Sequence, residues 1–168
     1  MAGPFTLLLI RHGIAEARGE AWPDDSKRPL TDQGMTRLRK QARGLARLDL
    51  GVDLILTSPF VRTRQTAEII ASAFDPRPHL ATTEALTPDG SYAAVVAELS
   101  KHTRRTRIAL VGHEPSIGEL AARLVGSRHP IPFKKGAIAC IEVDALPPQG
   151  PGALQWFAPP KILRSIKR

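Results

Sequence analysis

Apolar and polar positions along this chain are grouped in blocks. Residues 5–10 read Phe-Thr-Leu-Leu-Leu-Ile, and Arg11, His12 and Gly13 follow at once. An apolar run without period-two alternation predicts a strand buried on both faces, as in a parallel sheet. Residues 52–57 (VDLILT) and 108–111 (IALV) repeat the pattern, stopping at Ser58-Pro59 and at Gly112-His113-Glu114-Pro115. Two later runs, about 137–143 and 154–157, predict further strands, with a Pro- and Gly-rich turn at 147–152 between them.

Helical spacing fills the intervals. Thr31 is a good N-cap, and Met35, Leu38, Ala42 and Leu45 mark the buried stripe of a helix running to about residue 48. Ser58 as N-cap and Pro59 at the first helical position predict a second helix to about residue 74, with Thr66, Ile69, Ile70 and Ala73 on one face. A loop is expected over 77–91. A third helix carries Tyr92, Val95, Val96 and Leu99 and ends near His102. The fourth starts at Ser116, buries Ile117, Leu120, Ala121, Leu124 and Val125, and ends at Gly126. Residues 159–168 read as a basic tail.

This order predicts an α/β fold, a three-layer α/β/α arrangement with a mostly parallel central sheet. No repeat or long linker divides residues 1–168, which read as one domain. Ligands bind outside the carboxyl ends of strands in such sheets. Polar residues follow three separate apolar strands: Arg11 and His12, Ser58 with Arg62, and His113 with Glu114. The pattern therefore predicts that these groups converge on one edge. Gly13 is expected to let the backbone turn sharply beside a ligand.

The chemistry of that set is specific. Arginine presents a permanently charged planar fork that matches phosphate oxygens. Arg62, one turn into its helix, can reach back to the strand edge where that helix begins. A neutral imidazole is a competent nucleophile toward phosphorus. Two His and two Arg together point to phosphoryl transfer through a covalent phosphohistidine. There is no Gly-rich phosphate loop with Lys of the nucleoside-triphosphatase kind. His and carboxylates do not recur at metal-ligand spacing, so neither metal nor other cofactor is expected, and activity should survive a chelator. His79, His102 and His129 have no motif around them and read as structural or surface residues.

Charge narrows the partners. With 24 Lys and Arg against 16 Asp and Glu, the net charge is +8, which favours nucleic acid, phosphorylated metabolites or acidic proteins. Aromatic residues make up only 5% and the charge is dispersed, which argues against a nucleic-acid-binding module. A single cysteine, Cys140, cannot form an internal disulfide and lies in an apolar run, where it reads as core filler in a reducing compartment. The N-terminal apolar run is too short for a signal sequence or a membrane span. A soluble, cytoplasmic monomer that binds no membrane is the expectation.

Arg11-His12-Gly13, the run SPFVRTRQTA at 58–67, and VGHEP at 111–115 together resemble the histidine phosphatase superfamily, whose fold is phosphoglycerate-mutase-like. The RPLTDQG run at 28–34 resembles it too. The short chain, LTPDG at 86–90 and PPKIL at 159–163 are similar to the SixA-type phosphohistidine phosphatases. The resemblance implies that His12 is the nucleophile, that Arg11 and Arg62 bind the phosphoryl oxygens, and that His113 completes the phosphate pocket. Many members protonate the leaving group with a carboxylic acid. Glu84, Asp89 and Glu114 are the candidates here, and a surface carboxylate is an equal reading for each. Larger members carry inserted helices that cover the pocket. This chain has room for only one loop and one helix between the helix that starts at Ser58 and the strand that starts at Ile108, so it reads as a minimal version without a lid insertion. An open site suits a phosphoryl group presented on another protein, such as a histidine phosphotransfer domain of a phosphorelay. The alternative is a phosphatase of small phosphorylated metabolites with the same chemistry. A mutase needs a site closed to water, and the missing lid argues against it.

Overall fold

A computed structural model of the chain describes residues 4–167; residues 1–3, and Arg168 of the basic tail, lie outside the described residues. The strands are β1 (Phe5–Arg11), β2 (Leu54–Thr57), β3 (His79–Thr82), β4 (Arg107–Gly112), β5 (Ile138–Val143) and β6 (Ala153–Ala158). The helices are α1 (Asp32–Ala46), α2 (Val61–Ala71), α3 (Tyr92–Leu99), α4 (Ser116–Val125) and α5 (Pro160–Ser165). The strands form one sheet in the order β3-β2-β4-β1-β5-β6. The first four pair in parallel, and β5 and β6 add an antiparallel edge. This is the mostly parallel, helix-covered sheet that the apolar runs predict.

Successive side chains of a strand point to opposite faces. Leu7 and Leu9 join a core completed by α3 and α4, whereas Leu8 and Ile10 join one completed by α1, α2 and α5. A strand between two such cores has no solvent face, which is why β1 lacks polar alternation. Each fully buried leucine there stabilises the fold by about 1.5–3 kcal/mol. Cys140 lies in the second core, 3% exposed, and burial raises its thiol to about 11, so it is inert filler.

Three boundaries differ from those the sequence predicts. Residues 79–82 form a parallel strand, β3, within the expected loop. It is an edge strand with one large apolar residue, Leu80, so it carries no apolar run to be recognised. Helix α2 begins at Val61, with Phe60 and not Ser58 at its cap and no side-chain capping bond. The basic tail contains α5, whose Leu163 is fully buried against the second core. Thr31, by contrast, caps α1 as expected, its Oγ accepting the N–H of Gly34 at 2.8 Å.

Candidate active site

The strand ends do converge, because β2, β4 and β1 are neighbours in the sheet. Their ladder continues one residue beyond the strands and pins the site. The N–H of His12 bonds the carbonyl of Gly112 at 3.1 Å, and that of Ser58 bonds Val111 at 3.1 Å. The N–H of Gly136 bonds the carbonyls of Arg11 and His12 at 3.1 and 3.0 Å. Thr66 on α2 ties the next turn down, accepting from the N–H of Gly13 at 3.1 Å and donating to the carbonyl of Arg62 at 2.8 Å. Gly13 is not the sharp turn expected of it. It has no positive φ, and a Cβ there would meet only the side chains of Leu30 and Leu38 at ordinary contact distance.

His12 is 6% exposed, and its Nδ1 lies 2.7 Å from the carbonyl of Gly13. A carbonyl can only accept, so Nδ1 carries the proton and Nε2 keeps its lone pair. Burial pushes the imidazole down to about 3, reinforced by the charges of Arg62 and Arg11, so the ring is neutral at physiological pH. His113 meets it edge-on with ring centres 5.4 Å apart. Burial likewise lowers His113 to about 3, with Arg62 the next cause. Its Nε2 sits 2.9 Å from the hydroxyl of Ser58. Ser58 therefore orients an imidazole instead of capping a helix. The same hydroxyl also accepts the N–H of Phe60 at 3.3 Å, but Phe60 itself precedes Val61, the first residue of α2.

Arg11 donates through Nη1 to the carbonyl of Phe133 at 2.7 Å. Arg62 is 2% exposed, and its fork is held by Asp25: Nη1 bonds the main-chain carbonyl at 2.8 Å and Nη2 the carboxylate at 2.9 Å. Arg28 bonds the other carboxylate oxygen at 2.9 Å, and Arg18 approaches it at 3.9 Å. Burial alone would raise the Asp25 carboxyl. The bonds and charges of Arg28 and Arg62 outweigh it and hold the group below the usual carboxylate range. Asp25 reaches Arg62 because residues 14–29 fold back as a strap, fastened by the Ala15–Leu30 bridge and by Arg28 Nη1 on the carbonyl of Glu16 at 2.7 Å.

Among the described residues, four buried side-chain atoms have no hydrogen-bond partner: Arg11 Nε, Arg62 Nε, His113 Nδ1 and Asp53 Oδ1. The first three belong to the residues that the strand-end pattern singles out. All three residues line one pocket of about 380 Å³ with His12. Arg28 and Glu114 form its walls, and Arg18 and Lys135 stand at its exposed rim. Of the three candidate acids only Glu114 lines this pocket; Glu84 and Asp89 are exposed and outside it. Burial raises the Glu114 carboxyl against the opposing N–H bonds of Gly118 and Phe133 and the charge of Arg11. A larger cavity of about 520 Å³ between α3 and α4 shares only His113 of the four, so chemistry and not size selects the site.

Asp25, Arg28 and Lys135 are the residues that the strand-end pattern misses. The available signals are the charged cluster in 24–28, close in sequence to Arg11-His12, and the RPLTDQG run that opens with Arg28; Lys135 has neither. Between α2 and β4 the chain is used up by β3, two short 3-10 turns and α3, with Leu86, Val95 and Leu99 in the core. Among the described residues this stretch has no helix left over to cover the pocket. No group of three or more His, Cys, Asp or Glu able to hold a metal ion occurs among the described residues, and no helix there is long and apolar enough to cross a membrane.

Comparison with known proteins gives the family and the fold. The profile of the histidine phosphatase superfamily (branch 1) matches residues 7–87. The phosphohistidine phosphatase SixA of Escherichia coli is 29% identical over 163 residues, covering 96% of this chain and 98% of that protein. The SixA homolog of Haemophilus influenzae is 31% identical over 142 residues, 79% of this chain and 85% of its own. The solved structure of the protein histidine phosphatase SixA complexed with tungstate superposes with a TM-score of 0.82 at 29% identity, over 93% of this chain and 97% of that one. By sequence and by fold, this chain belongs to the histidine phosphatase superfamily and is a phosphatase, similar to the SixA type over nearly its whole length.

Proposed function

We propose that this phosphatase removes the phosphoryl group from a phosphohistidine on another protein, of the phosphorelay kind, with His12 as the nucleophile. The observation that carries the reading is that Arg11, Arg62 and His113, each with a buried side-chain nitrogen left without a partner, line one pocket with a neutral imidazole. Cationic and N–H groups aimed at the equatorial oxygens stabilise the transition state of phosphoryl transfer. The SixA structure complexed with tungstate, a tetrahedral oxyanion, supports the same reading by likeness.

In the first step the Nε2 lone pair of His12 forms a bond to phosphorus while the bond from phosphorus to the substrate imidazole breaks. The departing nitrogen takes a proton, for which Glu114 supplies the pocket carboxyl with a raised pKa. The carbonyl of Gly13 accepts from Nδ1 and steadies the positive charge that phosphorylation places on the ring. Water then attacks phosphorus and passes a proton to the Glu114 carboxylate, restoring its acid form, the bond to Nε2 breaks, and phosphate leaves with His12 neutral again. No step calls for a metal ion. Residues 1–168 act as one domain and as a monomer, and the lone Cys140 fits the reducing cytoplasm.

Phosphate release from a phosphorylated histidine phosphotransfer domain, followed in EDTA for wild type and His12→Ala, tests this directly. Release by the wild type alone supports it. Turnover of a small phosphate ester with none of the domain would move the function to metabolite hydrolysis. Equal release by both proteins would remove His12 as nucleophile.

A further inference from the structure

We infer that a basic recess beside the catalytic pocket binds an acidic segment of the partner protein next to its phosphohistidine; this rests on the phosphoprotein reading above. The recess, about 230 Å³, lies where α1, α5 and the turn before β5 meet. Arg37 comes from α1, Lys134 and Lys135 from the turn, and Lys161 and Arg164 from α5. The walls thus hold five cations and no carboxylate. None of the five forms an ion pair among the described residues.

The turn that presents the lysines is built, not loose. The N–H of Ala137 closes it onto the carbonyl of Lys134 at 2.8 Å. Gly136 sits at φ +85°, a left-handed conformation that favours glycine, and a Cβ there would strike Gln41. Gln41, 4% exposed, donates to the carbonyl of Gly136 at 2.8 Å and lines the recess. Lys135 lines both this recess and the catalytic pocket, so the two are adjacent. Uncompensated like charges repel one another, and carboxylates from a partner relieve that cost. No aromatic side chain lines the recess for a base to stack on, which favours acidic protein over nucleic acid.

The test is the charge-reversed pair Arg37→Glu with Lys161→Glu; neither residue lines the catalytic pocket. Two substrates carrying the same phosphorus–nitrogen bond are compared: a phosphorylated histidine phosphotransfer domain and free phosphohistidine. The expected result is a KM for the domain raised about tenfold or more, with kcat/KM for free phosphohistidine within about twofold of wild type. Raising salt from about 50 to about 300 mM should weaken wild type on the domain and affect the variant less. Equal losses on both substrates, or none on the domain, overturn the inference. The milder Arg37→Gln with Lys161→Gln pair guards against misfolding. If neither substrate is turned over by wild type, the phosphohistidine reading fails. Hexaglutamate binding by calorimetry then still decides the recess: binding to wild type and not to the reversed pair upholds it, and equal or absent binding sinks it.

Discussion

The guanidinium of Arg62 is gripped from one residue twice, by the carbonyl of Asp25 at 2.8 Å and by its carboxylate at 2.9 Å. Those bonds use Nη1 and Nη2 and leave Nε unpartnered. Asp25 is thus a positioning residue, fixing a buried cation at the cost of one exposed carboxylate. Its own exposure is 41%, so the pair alone adds little to stability.

Asp25→Asn should keep the main-chain bond and lose the charge-assisted one. We expect kcat/KM on phosphohistidine to fall about tenfold, near 1.4 kcal/mol. A purely structural role predicts additive losses with Arg62→Lys. Positioning through Arg62 predicts that the double variant is no worse than Arg62→Lys alone, as a double-mutant cycle would read.

Glu114 touches the pocket, but its importance depends on the leaving group. An imidazole departs more easily than an alkoxide. Glu114→Gln retains an oxygen for the N–H of Gly118, at 2.8 Å in the wild type, while removing the acid. Turnover of a phosphate ester should fall about 100-fold or more, and turnover of phosphohistidine by less than about tenfold. A loss on phosphohistidine as large as that of His12→Ala would refute this.

Both site imidazoles are held near 3 by burial, whereas an unfolded histidine titrates near about 6.5. Between those values the unfolded chain binds more protons than the folded one. Stability is therefore full above about pH 6.5 and is lost as pH falls, by up to about 1.4 kcal/mol per unit for each histidine. The urea midpoint should drop clearly between about pH 7 and pH 5, and drop less in His12→Gln with His113→Gln. Identical slopes for the two proteins would count against burial of neutral rings.

Gly44 lies where α1 meets α5, and a Cβ there would overlap the carbonyl oxygen of Leu163. Helix propensity alone predicts that Gly44→Ala stabilises by up to about 1 kcal/mol. Main-chain overlap cannot be relieved by a rotamer change, so we expect a net loss of about 1–3 kcal/mol. Thermal denaturation decides the sign, and a raised midpoint would show that α5 moves freely.

How far the chain could be read in advance varies by residue. Leu7 to Ile10 announce a buried central strand because both faces of β1 are covered. Thr31 announces α1 because a cap is a local bond between residues three apart. The edge strand at His79 carries no such mark, since only one neighbour and half a face constrain it. Ser58 misleads for a related reason: its sequence neighbours make it look like a cap, while the nearer partner of its hydroxyl, His113, is 55 residues away.

The sequence by itself therefore determined the order of strands and helices apart from β3 and α5, and the three polar strand ends that carry two imidazoles and two guanidiniums. These are written in local patterns of burial and capping. Only the tertiary structure decided that Asp25 holds Arg62, that Ser58 orients His113, that Glu114 alone of three acids reaches the pocket, and that the tail's Lys161 and Arg164 meet Arg37. Each of these depends on which strands are neighbours and how a loop folds back. Such contacts join residues far apart in the chain and leave no periodic trace in it.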